Sequence, residues 1–204
     1  MKLAQIDVEK ANILIVLSGP SGAGKSTICH DYVARQSANL VVSTTTRKPR
    51  TGEVDGVDYN FISREEFEEG IGQNLYLEYA EVHNNLYGTP LQAVKDCLKN
   101  GNDTILEIDV QGGLQVKKQL PSAVLVFVRT KTFSTLEERL ISRGTDSDAV
   151  IDVRLQNARQ ELEVMEEYDY FVLNDDLSVA VDDFHDVINA EKCSIKRLLK
   201  KIVG

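Results

Sequence analysis

Ile13-Leu14-Ile15-Val16-Leu17-Ser18-Gly19-Pro20-Ser21-Gly22-Ala23-Gly24-Lys25-Ser26 is the stretch from which the architecture follows. The run Ile13–Leu17 is short, apolar and partly β-branched, and Ser18-Gly19-Pro20 bounds it, which predicts a buried parallel strand entering a turn. A helical pattern then runs from Ser26 to about Gln36. Between strand and helix, Gly19 to Ser26 fits G-x-x-x-x-G-K-[ST] in full. Glycines at these positions let the backbone fold round a phosphate with successive N–H groups pointing inward, and the helix N-terminus adds positive potential. Lys25 supplies a charge for the β- and γ-phosphates, and the Ser26 hydroxyl is placed to ligate Mg²⁺. The pattern also arises by chance in glycine-rich turns, but the flanking strand and helix argue against that here.

Outward from this point, short apolar strands alternate with helical patterns. Strands are expected at Leu40–Ser43, Tyr59–Ile62, Leu75–Val82, Thr104–Asp109, Ala123–Val128 and Tyr170–Leu173. Ser63-Arg64-Glu65-Glu66 reads as a capping box opening a short helix that Gly70 closes. Thr89-Pro90 reads as an N-cap followed by proline at the first helical position. Further helices are expected at Gly112–Lys118, from a cap at Ser134-Thr135-Leu136-Glu137 to about Arg143, over roughly Asp148–Tyr168 and from Leu177 onward. Strands joined through helices imply crossovers, hence an α/β fold: a P-loop NTPase-type parallel sheet with helices on both faces. Residues 45–88, where short strands dominate, are read as an inserted β-rich subdomain in a core of about 12–44 and 89–204.

Of 204 residues, 42% are hydrophobic and 27% charged, which suits one soluble domain with a real core. The formal net charge of −9 argues against a nucleic-acid backbone as the main partner. The longest clean apolar run, Ile13–Leu17, is far too short to cross a bilayer. Residues 1–11 form an N-terminal extension with both charge signs and no apolar block, so neither a secretory signal nor a transit peptide is expected there, and the expected location is cytoplasmic. Cys29, Cys97 and Cys193 have no metal-ligand spacing, and His30, His83 and His185 are equally scattered.

Basic residues concentrate where a second phosphate would sit. Ser43-Thr44-Thr45-Thr46-Arg47-Lys48-Pro49-Arg50 crowds four hydroxyls and three cations into one loop of an acidic protein, a composition suited to clamping a phosphate monoester. Glu78 is a lone carboxylate in the apolar strand Leu75–Ala80, either outward-facing or an acceptor for two adjacent donors. Glu107 and Asp109 stand at i and i+2 near the C-terminal end of a strand, the end at which open parallel sheets bind ligands. Arg139 and Arg143 are four apart on one helix, and Arg154 follows beyond Gly144-Thr145-Asp146-Ser147.

These segments resemble the guanylate kinase family. The resemblance rests on Gly19–Thr27, Ser43–Arg50, Gly52–Tyr59, Leu77–His83, Tyr87–Pro90, Glu107–Gly112, Arg143–Ser147 and Tyr168–Asp176, in correct order over about residues 12 to 190. It implies Mg²⁺-dependent transfer of the γ-phosphoryl group of ATP to GMP or dGMP. Gly19, Pro20, Ser21, Gly22, Ala23, Gly24, Lys25, Ser26 and Thr27 would hold ATP, with Asn174 near adenine. Ser43, Arg47, Arg50, Tyr59 and Tyr87 match positions around the GMP phosphate, and Glu78, Thr89 and Asp109 match base-contacting positions. Lys25, Arg47, Arg139, Arg143 and Arg154 would carry the catalytic charge, with a lid at about 139–154. The chain departs from the family between His83 and Gly88. It reads Asn84-Asn85-Leu86-Tyr87 where Gly-Asn-Tyr-Tyr is common.

Two other classes stay in view. A phosphopeptide-binding module of the same fold would keep the GMP-site residues and lose the phosphate cradle, and a sugar-phosphate kinase would need neither Glu78 nor the full Ser43–Arg50 run. The expected partners are GMP, dGMP and ATP, with neither nucleic acid nor membrane, and self-association into a homo-oligomer is compatible with the sequence.

Overall fold

The computed structural model describes residues 12–142 and 148–197. Its main sheet is parallel throughout, in the order β2 (Ala38–Leu40), β7 (Asp103–Glu107), β1 (Leu14–Ser18), β8 (Val124–Arg129), β9 (Tyr170–Leu173). β1 lies at the centre, buried on both faces, which is why its sequence is continuously apolar rather than alternating. Ile15 and Leu17, with Ile13 before the strand, join one core with Ile28 of α1 (Lys25–Arg35) and Phe184 of α7 (Leu177–Lys192). Leu14 and Val16 join the other, with Val94 of α3 (Leu91–Lys99) and Val116 of α4 (Val110–Gln119). Each such side chain contributes about 1.5–3 kcal/mol on full burial.

The second sheet has the order β4 (Asn60–Phe61), β3 (Thr44–Thr45), β6 (Asn85–Pro90), β5 (Tyr76–Val82), with α2 (Arg64–Gly72) preceding β5. The capping box at Ser63 and Glu66 is present. β5 and β6 form a hairpin whose two loop residues, His83 and Asn84, both have positive φ (50° and 63°). Asparagine enters this region more readily than most residues, so Asn84 is tolerated at the glycine position of the resemblance. The free edge of β5 docks on α4 through two glutamines one turn apart. Gln115 Nε2 donates to the Tyr79 carbonyl at 2.8 Å, and Gln119 Nε2 donates to the Leu77 carbonyl at 2.7 Å. These side chains satisfy edge carbonyls that would otherwise be open, and fix Glu78 between them.

Four expectations are corrected. Residues 41–43 are not strand, because the chain leaves the main sheet at Leu40 and enters the second at Thr44. Thr89 and Pro90 end β6 rather than cap α3; Pro90 is itself the cap residue, and the Thr89 hydroxyl is committed to Glu78. Gly70 is buried within α2, against the Tyr76 ring, instead of ending it. α5 (Phe133–Ser142) is capped by the Thr132 hydroxyl, which accepts from the Thr135 N–H at 3.1 Å, and not by Ser134. The expected long helix is α6 (Asp148–Glu163) followed by a 3-10 turn, Val164–Glu167. Among the described residues no helix is long and apolar enough to cross a membrane.

Candidate active site

Between the two sheets lies a cleft of about 290 Å³, lined on one side by Gly19, Ser21, Gly22, Gly24, Lys25, Ser26 and Thr27 and on the other by Ser43, Arg47, Arg50, Tyr59, Glu78 and Tyr87. Glu107, Ile108 and Asp109 form its floor, and α6 adds Arg154 and Glu161.

The phosphate cradle is held from behind. Gly24 has φ 89°, and a Cβ there would come within 2.1 Å of Asn174 Nδ2, so only glycine fits. The Asn174 side chain donates to the Ala23 carbonyl at 2.7 Å, and the Asn174 backbone carbonyl accepts from Arg139 Nη2 at 3.0 Å. Lys25 Nζ donates to the Gly19 carbonyl at 2.6 Å and to the Pro20 carbonyl at 3.2 Å. Ser26 Oγ donates to Glu107 Oε1 at 2.6 Å, which brings a hydroxyl and a carboxylate together where the cradle opens. From α6, Arg154 Nη1 reaches Ser21 Oγ at 3.5 Å. Arg143 lies outside the described residues, as does the rest of the Arg143–Ser147 segment.

On the opposite wall Glu53 organises the basic loop. It binds Arg47 through both carboxylate oxygens, at 2.9 and 2.8 Å, and accepts from the Arg50 N–H at 2.7 Å. Burial opposes ionisation of Glu53, yet these bonds and the two arginine charges outweigh it and hold the carboxyl below its usual range. Arg47 Nε donates to Tyr87 Oη at 3.2 Å, and the Arg47 guanidinium stands 5.4 Å from the centre of the Tyr59 ring. Nη1 also donates to the Lys48 carbonyl, which leaves one of the five guanidinium N–H groups uncommitted. Among the described residues the Arg50 guanidinium makes no hydrogen bond, so its whole fork faces no competitor. Burial first, then the charge of Glu107, pushes the Tyr59 phenol up to about 12, so it acts as a donor.

Glu78 is buried at 3% exposure and accepts from Thr89 Oγ1 at 2.6 Å. Burial, with the Thr89 bond working against it and Asp109 adding to it, raises its carboxyl to about 7. Asp109 is not on the strand with Glu107. The strand ends at Glu107, and Asp109 caps α4, accepting from the N–H groups of Gln111 at 3.0 Å and Gly112 at 3.3 Å. Burial raises Asp109 as well, those two bonds opposing it. A Cβ on Gly112 would meet Glu78 Oε2 at 2.2 Å. Gly112→Ala is therefore expected to displace the Glu78 carboxylate and raise KM for GMP about tenfold. The fold should also lose stability, since the clash and the strained Glu78–Thr89 bond outweigh alanine's helix preference of roughly 0.5–1 kcal/mol. Steady-state kinetics beside thermal melts check both halves.

Leu86 and Tyr87 are neighbours on β6 and point to opposite sides: Leu86 is buried in the subdomain and Tyr87 lines the cleft. Tyr87→Phe removes the hydroxyl bonded to Arg47 and is expected to raise KM for GMP about tenfold, near 1.4 kcal/mol. Leu86→Tyr should cost stability by overpacking and leave KM for GMP nearly unchanged. The reverse ranking in KM would contradict this register.

Glu53 and Glu161, with Val82, His83 and Asn85 of the hairpin, complete the site beyond the residues singled out from sequence. Glu161 had one usable signal, its spacing of seven from Arg154 on the same helix face. The two-walled cleft, with a phosphate cradle facing a second cation clamp, defines a P-loop kinase of small phosphorylated acceptors. A family model described as guanylate kinase matches residues 11–191. The chain is 50% identical over 186 residues to the guanylate kinase of Desulfitobacterium hafniense, covering 91% of this chain and 93% of that one. It is 44% identical over 195 residues to that of Clostridioides difficile, covering 95% of each. The crystal structure of guanylate kinase from Anaplasma phagocytophilum superposes with a TM-score of 0.77 at 30% identity, over 92% of this chain and 90% of that one. The chain belongs to the guanylate kinase family.

Proposed function

We propose that the cleft transfers the γ-phosphoryl group of ATP to GMP, and to dGMP, giving ADP and GDP or dGDP. The observation that carries this reading is the pairing of an intact phosphate cradle with the buried Glu78 carboxylate, held by the Thr89 hydroxyl behind it, on the facing wall. Guanine presents N1–H and an exocyclic amino group side by side, which a carboxylate can accept together. Adenine has an acceptor at N1 and no amino group at C2, so it would leave Glu78 buried and unmatched. Thr89, through its bond to Glu78, and Asp109 take the base side, while Ser43, Arg50, the preorganised Arg47, Tyr59 and Tyr87 hold the acceptor phosphate.

Phosphoryl transfer needs in-line positioning and positive charge more than covalent chemistry. Lys25, Arg139, Arg143 and Arg154 supply that charge on the donor side, and no general base is required. Asn174 shapes the adenine end of the cradle through Ala23. The hard oxygen donors Ser26 and Glu107, 2.6 Å apart, suit magnesium, which keeps several waters and phosphate oxygens among its ligands. Ser26 and Glu107 would hold it, and it would supply positive charge against the ATP phosphates. The free thiols of Cys29, Cys97 and Cys193 support a cytosolic setting.

A panel of acceptors tests the reading. With ATP and magnesium, ADP formation should be fast with GMP, measurable with dGMP, and at least about a hundredfold slower in kcat/KM with AMP, UMP and ribose 5-phosphate. Equal rates with AMP would remove the base-selection argument, and preference for ribose 5-phosphate would move the chain to the sugar-phosphate class.

A further inference from the structure

α6 turns a polar stripe to the cleft. Arg154, Asn157 and Glu161 stand at i, i+3 and i+7, hence on one helix face. Arg154 meets Ser21 of the cradle, and Asn157 Nδ2 lies 3.4 Å from His83 Nδ1 at the tip of the β5–β6 hairpin. Glu161 lines the cleft between them and the floor. It is half-buried, and among the described residues its carboxylate accepts no hydrogen bond. The charged and titratable groups that face it are Lys25 from the cradle, Asp109 from the cap of α4, the Tyr168 phenol beyond α6 and, on its own helix, Arg154.

An unsatisfied carboxylate in this place opposes binding. The space it faces is the one two phosphate-bearing substrates must fill, and a second carboxylate, Asp109, already stands nearby. Like charges in a half-desolvated cleft favour the neutral acid, and a protonated carboxyl has an O–H to donate where a carboxylate can only accept. We propose that Glu161 is a further residue of the substrate site and takes up a proton from solvent as the nucleotides bind, changing from a repelling carboxylate into a donor to their phosphate oxygens. Its state before binding fits: burial, with Asp109 adding to it and Lys25 opposing, raises the Glu161 carboxyl to about 7. Binding anions beside a group poised there must raise it further. By linkage, nucleotide affinity then weakens as pH rises through about 7 and is fullest below it. This inference rests on the GMP and ATP reading of the cleft.

Calorimetry of the full chain tests it. GMP and a non-hydrolysable ATP analogue with magnesium are titrated at about pH 7.5 in two buffers of different ionisation enthalpy, for wild type and for Glu161→Gln. Proton uptake per site should be greater in wild type than in Glu161→Gln by roughly half a proton or more, because glutamine cannot titrate and ligand protons cancel in the comparison. Equal proton uptake by the two proteins would overturn the proposal. Binding heat itself reports separately on the substrate reading: heat with GMP but no difference in protons sinks only the role of Glu161, whereas absence of heat with GMP sinks the reading beneath it.

Discussion

Lys25→Ala should lower kcat by roughly two orders of magnitude or more while the protein stays folded. Lys25 opens α1 directly after Gly24, and its ammonium is tethered to the carbonyls of Gly19 and Pro20, so it is held over the cradle before any nucleotide arrives. Two of its three N–H groups are used there, which leaves one for the ligand. Charge spreads over the migrating phosphoryl group in the transition state, and removing a preorganised cation forfeits stabilisation at that moment. The loss should therefore fall on kcat more than on KM for GMP, whose phosphate is proposed to sit on the opposite wall. The fold should survive, because the cradle is also braced by Asn174 on Ala23 and by the two cores around β1. Steady-state kinetics with circular dichroism check this, and turnover within about threefold of wild type would contradict the role of Lys25.

Glu78→Gln is expected to weaken GMP by about 1–3 kcal/mol, up to two orders of magnitude in KM, since one strong acceptor becomes a donor facing a donor on guanine. The structure adds a second, opposite-signed effect. Glu78 holds its proton more tightly in the fold than in an unfolded chain, with its carboxyl raised to about 7. Where the folded state binds more protons, stability falls as pH rises. Glu78 therefore costs stability progressively from the ordinary carboxylate range up to about pH 7, and that cost is fully present above it. Glutamine keeps the Thr89 hydroxyl bonded and removes the penalty, so Glu78→Gln should melt higher than wild type at alkaline pH while binding GMP worse. A residue with only a structural role would lose stability and function together. An unchanged KM for GMP would take Glu78 out of the site.

The cradle was legible from sequence because it is local: strand, turn and helix follow one another within Ile13–Arg35, and their chemistry is written in consecutive residues. The main sheet was legible for a related reason, since buried parallel strands read as unbroken apolar runs. What pairing alone creates was harder to see. β6, reading Asn-Leu-Tyr-Gly-Thr-Pro, has the composition of a turn, and it becomes a strand only because β5 and β3 flank it. Thr89 consequently read as a helix cap, although the hairpin delivers its hydroxyl to Glu78. Asp109 read as a strand residue because Ile108 continues the apolar run, whereas its side chain caps α4. Glu53 was missed because a carboxylate in a polar loop has no pattern to mark it, and Glu161 because its spacing from Arg154 marks a helix face without showing that the face meets the cleft.

This cleft passes the γ-phosphoryl group of ATP to GMP, releasing ADP, rather than to water or another acceptor. Chromatographic quantification of all four nucleotides, with ATP, GMP and magnesium supplied, tests it most directly. ADP and GDP should appear in equal amounts, with little ADP formed when GMP is left out. ADP accumulating without GDP, or formed as fast with AMP as with GMP, would contradict it.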